Sequence, residues 1–420
     1  MILNSFNNNF LKKEIVLFFI LYFSLLVGFF LNENSTGGAL LDYINQKKIS
    51  QTFSQNFFYT LLNYDEFSTR HSPILIIFLS FFEKLNLNDH LIRIFHLHLC
   101  LLLPLFFYLC LRIKFENVNK TILILLTGLI FLSPTFRSLS IWPDSRILGL
   151  SIFCVSIYFY LKFEIEKKFL FALTNIVFYA LASYISPNFA VFSLFFLYKY
   201  FYFINFKSLN FLIIILLNII LAFPAIYYIF ILDINFLNKP AAIGISNNEN
   251  IFFRNIFNQL LIIPTIVFFY IFPFFIIKLI NFPKIIESNT IIIATILFLF
   301  SIYFFDYKYG YTGGGIFFKI SYFLFKNNIL FYCFSLISLI FLIKISKLNF
   351  ENTLITLILF LSNPQTTIYH KYFDPLIIMI IFLLFKFDIK FNKIKNLKKF
   401  SFIYIYFSFF LLLNFIKPNV

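Results

Sequence analysis

Residues 15–48 read IVLFFILYFSLLVGFFLNENSTGGALLDYINQKK. The first half is one apolar run, close to the ~20 residues that a bilayer-spanning helix needs. The second half turns polar at once, with a Glu between two Asn, a Gly pair and an Asp. Runs like the first half recur to the C-terminus, and that recurrence decides the class. Only helices or closed barrels cross lipid, because every backbone polar group must be satisfied internally. Barrel strands alternate over ~10 residues, whereas these runs are unbroken. The fold class is therefore all-α and polytopic.

The composition agrees. Hydrophobic residues make up 61% and charged residues 12%, against about 25% charged in soluble domains. Mean hydropathy is +0.88. The net charge of +16 is assigned to cationic loops on the inner membrane face, not to nucleic acid. Cys100, Cys110, Cys154 and Cys333 lie in apolar runs without a CxxC spacing, so neither a disulfide framework nor a zinc site is implied. The first apolar run reads as a retained span rather than a cleaved signal.

Thirteen spans are expected, at 15–31, 94–111, 121–134, 147–162, 169–185, 188–204, 211–231, 256–279, 289–305, 329–345, 351–362, 375–387 and 401–416. Lys12 and Lys13 place the N-terminus in the cytoplasm. The chain reads as one integral membrane domain, 1–420. Residues 32–93 form its long first outer loop, and 386–400 a polybasic inner loop. The stretch 74-ILIIFLSFFEKL-85 is too short to span, so it is expected to be a juxtamembrane helix opened by Pro73. Making it a span would turn the polybasic loop outward, against the positive-inside rule. The other outer loops are 133–146, 233–255, 306–328 and 363–375.

The chemistry-bearing residues gather in those outer segments. Glu33 stands just past the first span, where partial desolvation raises the basicity of a carboxylate. From there a general base reaches both an aqueous hydroxyl and a lipid head group. The alternative is an ordinary loop acid. Gly37 and Gly38 suit a tight turn. Asp42 lies on 39–46, read as an amphipathic surface helix. Asp65, Glu66, Arg70 and His71 form a second charged knot. Trp142 suits an interfacial anchor. Asp144 is either a second carboxylate and hard-metal ligand or a partner of Arg137 or Arg146. His370 and Lys371 stand before the twelfth span, where a cation suits a lipid phosphate or an ordinary head group. Tyr372 and Phe373 suit belt aromatics. No GxGxxG, Walker A, HExxH or GxSxG occurs.

In order and topology these elements resemble the GT-C superfamily of polyprenyl-phosphate-sugar-dependent glycosyltransferases. The likeness is to its protein O-mannosyltransferases and lipid A aminoarabinose transferases. The matching elements are 32-NEN-34 after the first span, 71-HSPIL-75 opening the juxtamembrane helix, 93-RIFHLHLCLLLPLFFYLCLR-112 as an Arg-led span, Asp144, and 371-KYFDP-375. Three departures from the family are expected: one carboxylate instead of two, Ser72-Pro73 in place of a double proline, and absence of the soluble C-terminal domain that some members carry.

The resemblance implies Glu33 as general base, with Asp144 as a second catalytic carboxylate and the ligand of any divalent ion (Mg or Mn). It implies substrate binding by His71, Lys371, His370, Tyr372, Asp42 and Arg70. The expected donor is a polyprenyl-phosphate-linked sugar and the acceptor a glycan, lipid or protein, with membrane lipid around them. The expected location is the bacterial inner (plasma) membrane, with the active site periplasmic. A surface-polysaccharide polymerase or ligase and a lipid-linked-sugar transporter or flippase are the alternatives.

Overall fold

The computed structural model describes residues 8–67, 69–204, 208–234, 251–280, 287–310, 313–363, 365, 367–391 and 398–416. These are helical throughout, and apart from an isolated bridge between Ile280 and Ile389 they contain no strand pairing. Among the described residues, five helices are long and apolar enough to cross a membrane, or six if one bent pair counts as a span. The five are Asp89–Lys114, Ser145–Glu166, Leu209–Ile231, Asn255–Ile276 and Ile329–Ser346. They coincide with five of the thirteen expected spans and mark a membrane-embedded chain. Val16–Phe30, Phe169–Ile185, Ser288–Tyr303, Phe350–Leu361 and Phe400–Phe415 match five more but are shorter.

The chain divides into two compact units. The first comprises Met1–Leu62, Ser72–Ile185 and Phe400–Val420. Here α1 (Asn8–Phe30) is followed by α2 (Ala39–Gln55), α3 (Phe57–Leu62) and α4 (Pro73–Lys84). α4 begins as expected: the Ser72 side chain caps it by accepting from the Ile74 amide, and Pro73 follows at the first turn. Next come α5 (Asp89–Cys100) and α6 (Leu102–Lys114), α7 (Lys120–Gly128), α8 (Pro134–Ile141), α9 (Ser145–Glu166) and α10 (Phe169–Ile185). In the core, Asn175 donates to both the carbonyl and the hydroxyl of Ser156, at 2.8 and 2.9 Å, tying α10 to α9. α19 (Lys398–Ile416) closes the unit, with the Tyr404 hydroxyl on the Leu125 carbonyl at 2.8 Å.

One expectation is corrected in this unit. Residues 133–146 are not an open loop, because α8 occupies 134–141, is buried throughout, and bends 63° from the helical segment Lys120–Leu132. The cause is local. Pro134 cannot donate to the preceding ladder, while Ser133 caps the Phe136 amide at 2.9 Å and restarts a helix. The helix expected over 39–46 forms as part of α2, with Tyr43, Gln46, Ser50 and Phe53 on a buried face.

The second unit comprises Asn63–His71 and Ser186–Lys399. It contains α11 (Ser193–Phe203), α12 (Leu209–Ile226), α13 (Ile251–Ile276), α14 (Ser288–Tyr303), α15 (Gly315–Phe325), α16 (Ile329–Ser346), α17 (Phe350–Leu361) and α18 (Leu376–Leu383). The expected outer loop 306–328 holds α15, and the expected span 375–387 is helical only over the 8 residues of α18. The loop 233–255 and the polybasic 386–400 lie partly outside the described residues.

Polar contacts at the helix ends reveal the alternation of this unit. At one end, Asn258 donates to Asp306 at 2.7 Å, Gln259 to the Asn363 carbonyl at 2.7 Å, and Asn188 to the Asn363 side chain at 2.8 Å. At the other, Lys199 pairs with Glu351 at 3.0 Å, Lys347 donates to Thr290 at 3.1 Å, and the Lys390 amide reaches the Leu279 carbonyl at 2.8 Å. The helices α11, α13, α14 and α17 therefore run alternately between the two polar layers.

Candidate functional site

In the first unit the polar residues converge on the exit of α1. The chain leaves the helix through Asn32, which is left-handed at φ 54°, and the Glu33 amide turns back onto the Gly28 carbonyl at 2.8 Å. This folds the Glu33 side chain against α1, where it is 4% exposed. Gly28 makes room for it. A Cβ there would stand 2.2 Å from Glu33 Oε2 and 2.9 Å from Arg137 Nη2.

Arg137, on α8, clasps that carboxylate. Its Nε lies 2.8 Å from Oε1 and 2.9 Å from Oε2, and its Nη2 2.7 Å from Oε2. The same guanidinium donates to the Ser24 carbonyl at 2.9 Å and the Ser24 hydroxyl at 3.1 Å. Ser35 adds a hydroxyl on Oε1 at 3.0 Å and touches Ser138 at 3.0 Å. A carboxylate has about four lone-pair sites, and these contacts engage both oxygens of Glu33 twice over. A planar fork on a planar carboxylate is among the stronger charge-assisted pairings.

Around this pair, Trp142 is buried rather than interfacial, and its Nε1 donates to the Glu33 carbonyl at 2.9 Å. Its ring carries the Arg93 guanidinium at 3.6 Å and lies 5.9 Å from the ring of Tyr43. Burial, then the negative charge of Asp89, raises the Tyr43 phenol above its ordinary pKa. Asp144 is 1% exposed and caps α9, its Oδ1 accepting from the Arg146 amide at 2.7 Å. Arg137 was one of two partners expected for Asp144, but its carboxylate is that of Glu33. Asp42 sits half-buried in the first turn of α2.

A divalent ion needs several oxygen ligands. Within this unit no three described His, Cys, Asp or Glu side chains converge on one point. Glu33 does not fit as a co-ligand of Asp144, because Arg137 and Ser35 hold both its oxygens.

In the second unit, His370, Lys371 and Tyr372 share one tight helical turn. His370 Nδ1 meets the Tyr270 hydroxyl at 3.1 Å, and its ring lies 5.5 Å from that of Phe269. Lys371 Nζ stands 5.2 Å over the ring of Tyr369. Tyr372 is not a belt aromatic but is buried, bonded to the Gln365 side chain. Gly313 fastens the same segment: at φ 97°, its Cβ would meet the Ile368 carbonyl at 2.5 Å. Arg70 and His71 are half-buried at the end of Asn63–His71, with the His71 carbonyl accepting from Tyr64 at 2.9 Å.

Sequence reasoning missed Arg137 as the partner of Glu33, and the carboxamides Asn255, Asn258 and Gln259 that anchor the 363–365 segment and Asp306. The carboxamides did leave a signal, since they recur at helical spacing on one face of an apolar helix. Compared with protein-family models, with curated proteins and with solved structures, the chain matches none.

Proposed function

We propose that this chain is a membrane glycosyltransferase that moves a sugar from a polyprenyl-phosphate donor to an acceptor hydroxyl at the outer face of a bacterial inner membrane. The observation that supports the reading is the Glu33 carboxylate, buried at the exit of α1 and paired with the Arg137 guanidinium. In the reaction the acceptor oxygen attacks the anomeric carbon and inverts it, the hydroxyl proton passes to Glu33, and the polyprenyl phosphate leaves with the bonding pair. Because Arg137 and Ser35 occupy both Glu33 oxygens, the acceptor hydroxyl must displace one of these donors. Arg137 thereby sets the position of the base. Asp144 supports the turn that carries Trp142. Lys371 and His370, in the second unit, are separate candidates for a lipid phosphate. The thirteen-span topology belongs to this proposal, and no step runs through a metal.

The test is mass spectrometry of surface glycans and lipid A from cells with and without the gene, complemented by wild type or Glu33→Gln. Loss of one sugar that wild type restores and Glu33→Gln does not is the expected result. An unchanged glycan profile on deletion refutes the reading.

Transport or flipping of a lipid-linked sugar is favoured by one observation: the polar side chains of His96 and Asn175 are buried inside helices of the first unit. Movement of labelled lipid-linked sugar across vesicles without any covalent product selects that reading.

A further inference from the structure

The first unit holds a second buried guanidinium, and it is satisfied quite differently from Arg137. Arg93, in the second turn of α5, is 4% exposed. Its Nε donates to the Ile141 carbonyl at 3.2 Å and its Nη1 to the Asn32 side chain at 2.9 Å. The rings of Trp142 and Phe29 cover it at 3.6 and 4.9 Å. Its Nη2 has no hydrogen-bond partner among the described residues. Asp89, one turn back, is instead engaged by Lys47 and Tyr43. A guanidinium offers five donors in a fixed fork; Asp89 attracts this one through space, but a buried donor left unbonded is still costly.

Two other side chains, on elements that meet Trp142 or Asn32, also hold buried polar atoms without hydrogen-bond partners. Gln46 is 1% exposed, one turn past Tyr43 on the buried face of α2, with neither Nε2 nor Oε1 bonded. Thr36 Oγ1, in the loop that Arg93 grips through Asn32, is likewise unbonded. Trp142 links the group, since Arg93 and Tyr43 both pack on its ring.

We propose that Arg93, with Gln46 and Thr36, forms a subsite for a phosphate group, carried by a lipid head group or by a soluble phosphate compound. Guanidinium, amide and hydroxyl donors together suit an anion with more than two oxygens better than a carboxylate. Gln46 Oε1 accepts from a protonated phosphate oxygen or a head-group hydroxyl. These atoms are fully buried, so a ligand reaches them only as the packing around them opens. Binding without turnover satisfies the proposal, which therefore stands or falls apart from the transfer reaction.

The experiment uses the purified full chain in two arms. Thermal unfolding in detergent is followed against inorganic phosphate, with chloride matching the ionic strength. It is repeated in nanodiscs with and without phosphatidic acid. Wild type is expected to gain a saturable rise in melting temperature in at least one arm, and the responding arm identifies the source. Gln46→Leu removes an unpaired amide, so it should melt no lower than wild type without ligand. Its half-saturating phosphate or lipid concentration should nevertheless rise about tenfold, and that of Arg93→Gln by at least as much. No response of wild type in either arm overturns the proposal. So does an unchanged response in Gln46→Leu, which tests it even if Arg93→Gln fails to fold.

Discussion

Truncating Glu33 to Ala strands the Arg137 guanidinium in a site where the two side chains are 2% and 8% exposed. Breaking a buried pair from one side costs about 3–5 kcal/mol, because the remaining charge is left without compensation. Arg137→Ala should cost a similar amount, since it also frees the Ser24 carbonyl. Replacing both at once, as Glu33→Leu with Arg137→Met, removes the charges together and should be neutral to within about 2 kcal/mol. The single losses should therefore exceed the double by several kcal/mol.

Gly28 sharpens the test. Helix propensity alone favours Ala over Gly by about 1 kcal/mol, yet a Cβ here stands 2.2 Å from Glu33 Oε2. A Cβ also stands 2.9 Å from Arg137 Nη2, so Gly28→Ala should destabilise wild type strongly and the background lacking both side chains, Glu33→Ala with Arg137→Ala, much less or not at all. The assay is reversible unfolding of the full chain in mixed micelles, followed by tryptophan fluorescence; the single tryptophan, Trp142, reports on this site. Single losses under about 1 kcal/mol that simply add, or a Gly28→Ala cost as large without the two side chains as with them, would refute the buried-pair reasoning.

Further outcomes are expected elsewhere. Trp142→Phe keeps an aromatic face for Arg93 but deletes the Nε1 donor to the Glu33 carbonyl; a loss of about 1–2 kcal/mol in chemical unfolding is expected. Gly313→Ala must disturb the Ile368 carbonyl, so limited proteolysis should cut 363–375 faster, with at least about 1 kcal/mol of stability lost. Asn175→Leu removes two interhelical hydrogen bonds in the α9–α10 hairpin and should cost about 1–2 kcal/mol by thermal melt; a neutral result would show those bonds to be dispensable.

Much of the architecture is legible along the chain. The apolar runs state the helical class outright, because lipid tolerates no other continuous backbone here. Ser72-Pro73 announces the start of α4, and the same Ser-Pro pair at 133–134, taken as a loop, in fact starts α8. Its meaning was masked because the helix it opens is short, polar in part and buried only by tertiary packing. Helices such as α18 escape span arithmetic for a related reason: 8 residues rise only about 12 Å. Neighbouring helices bury all of α18, so its apolar run need not reach both lipid faces.

The site divides along the same line. Sequence alone singled out Glu33, through its place at the end of an apolar run, and Gly37-Gly38, whose φ values of 66° and 90° suit a turn. It could not say that Glu33 folds back over Gly28, that Arg137 rather than Asp144 shares its charge, or that Arg93 meets aromatic faces instead of a carboxylate. Glu33 and Arg137 lie 104 positions apart. A local pattern reports what a residue can do with its neighbours in the chain, whereas a buried charge is governed by what packs against it in space. That distinction left Glu33 a loop acid in the sequence and made it one half of a buried ion pair in the folded chain.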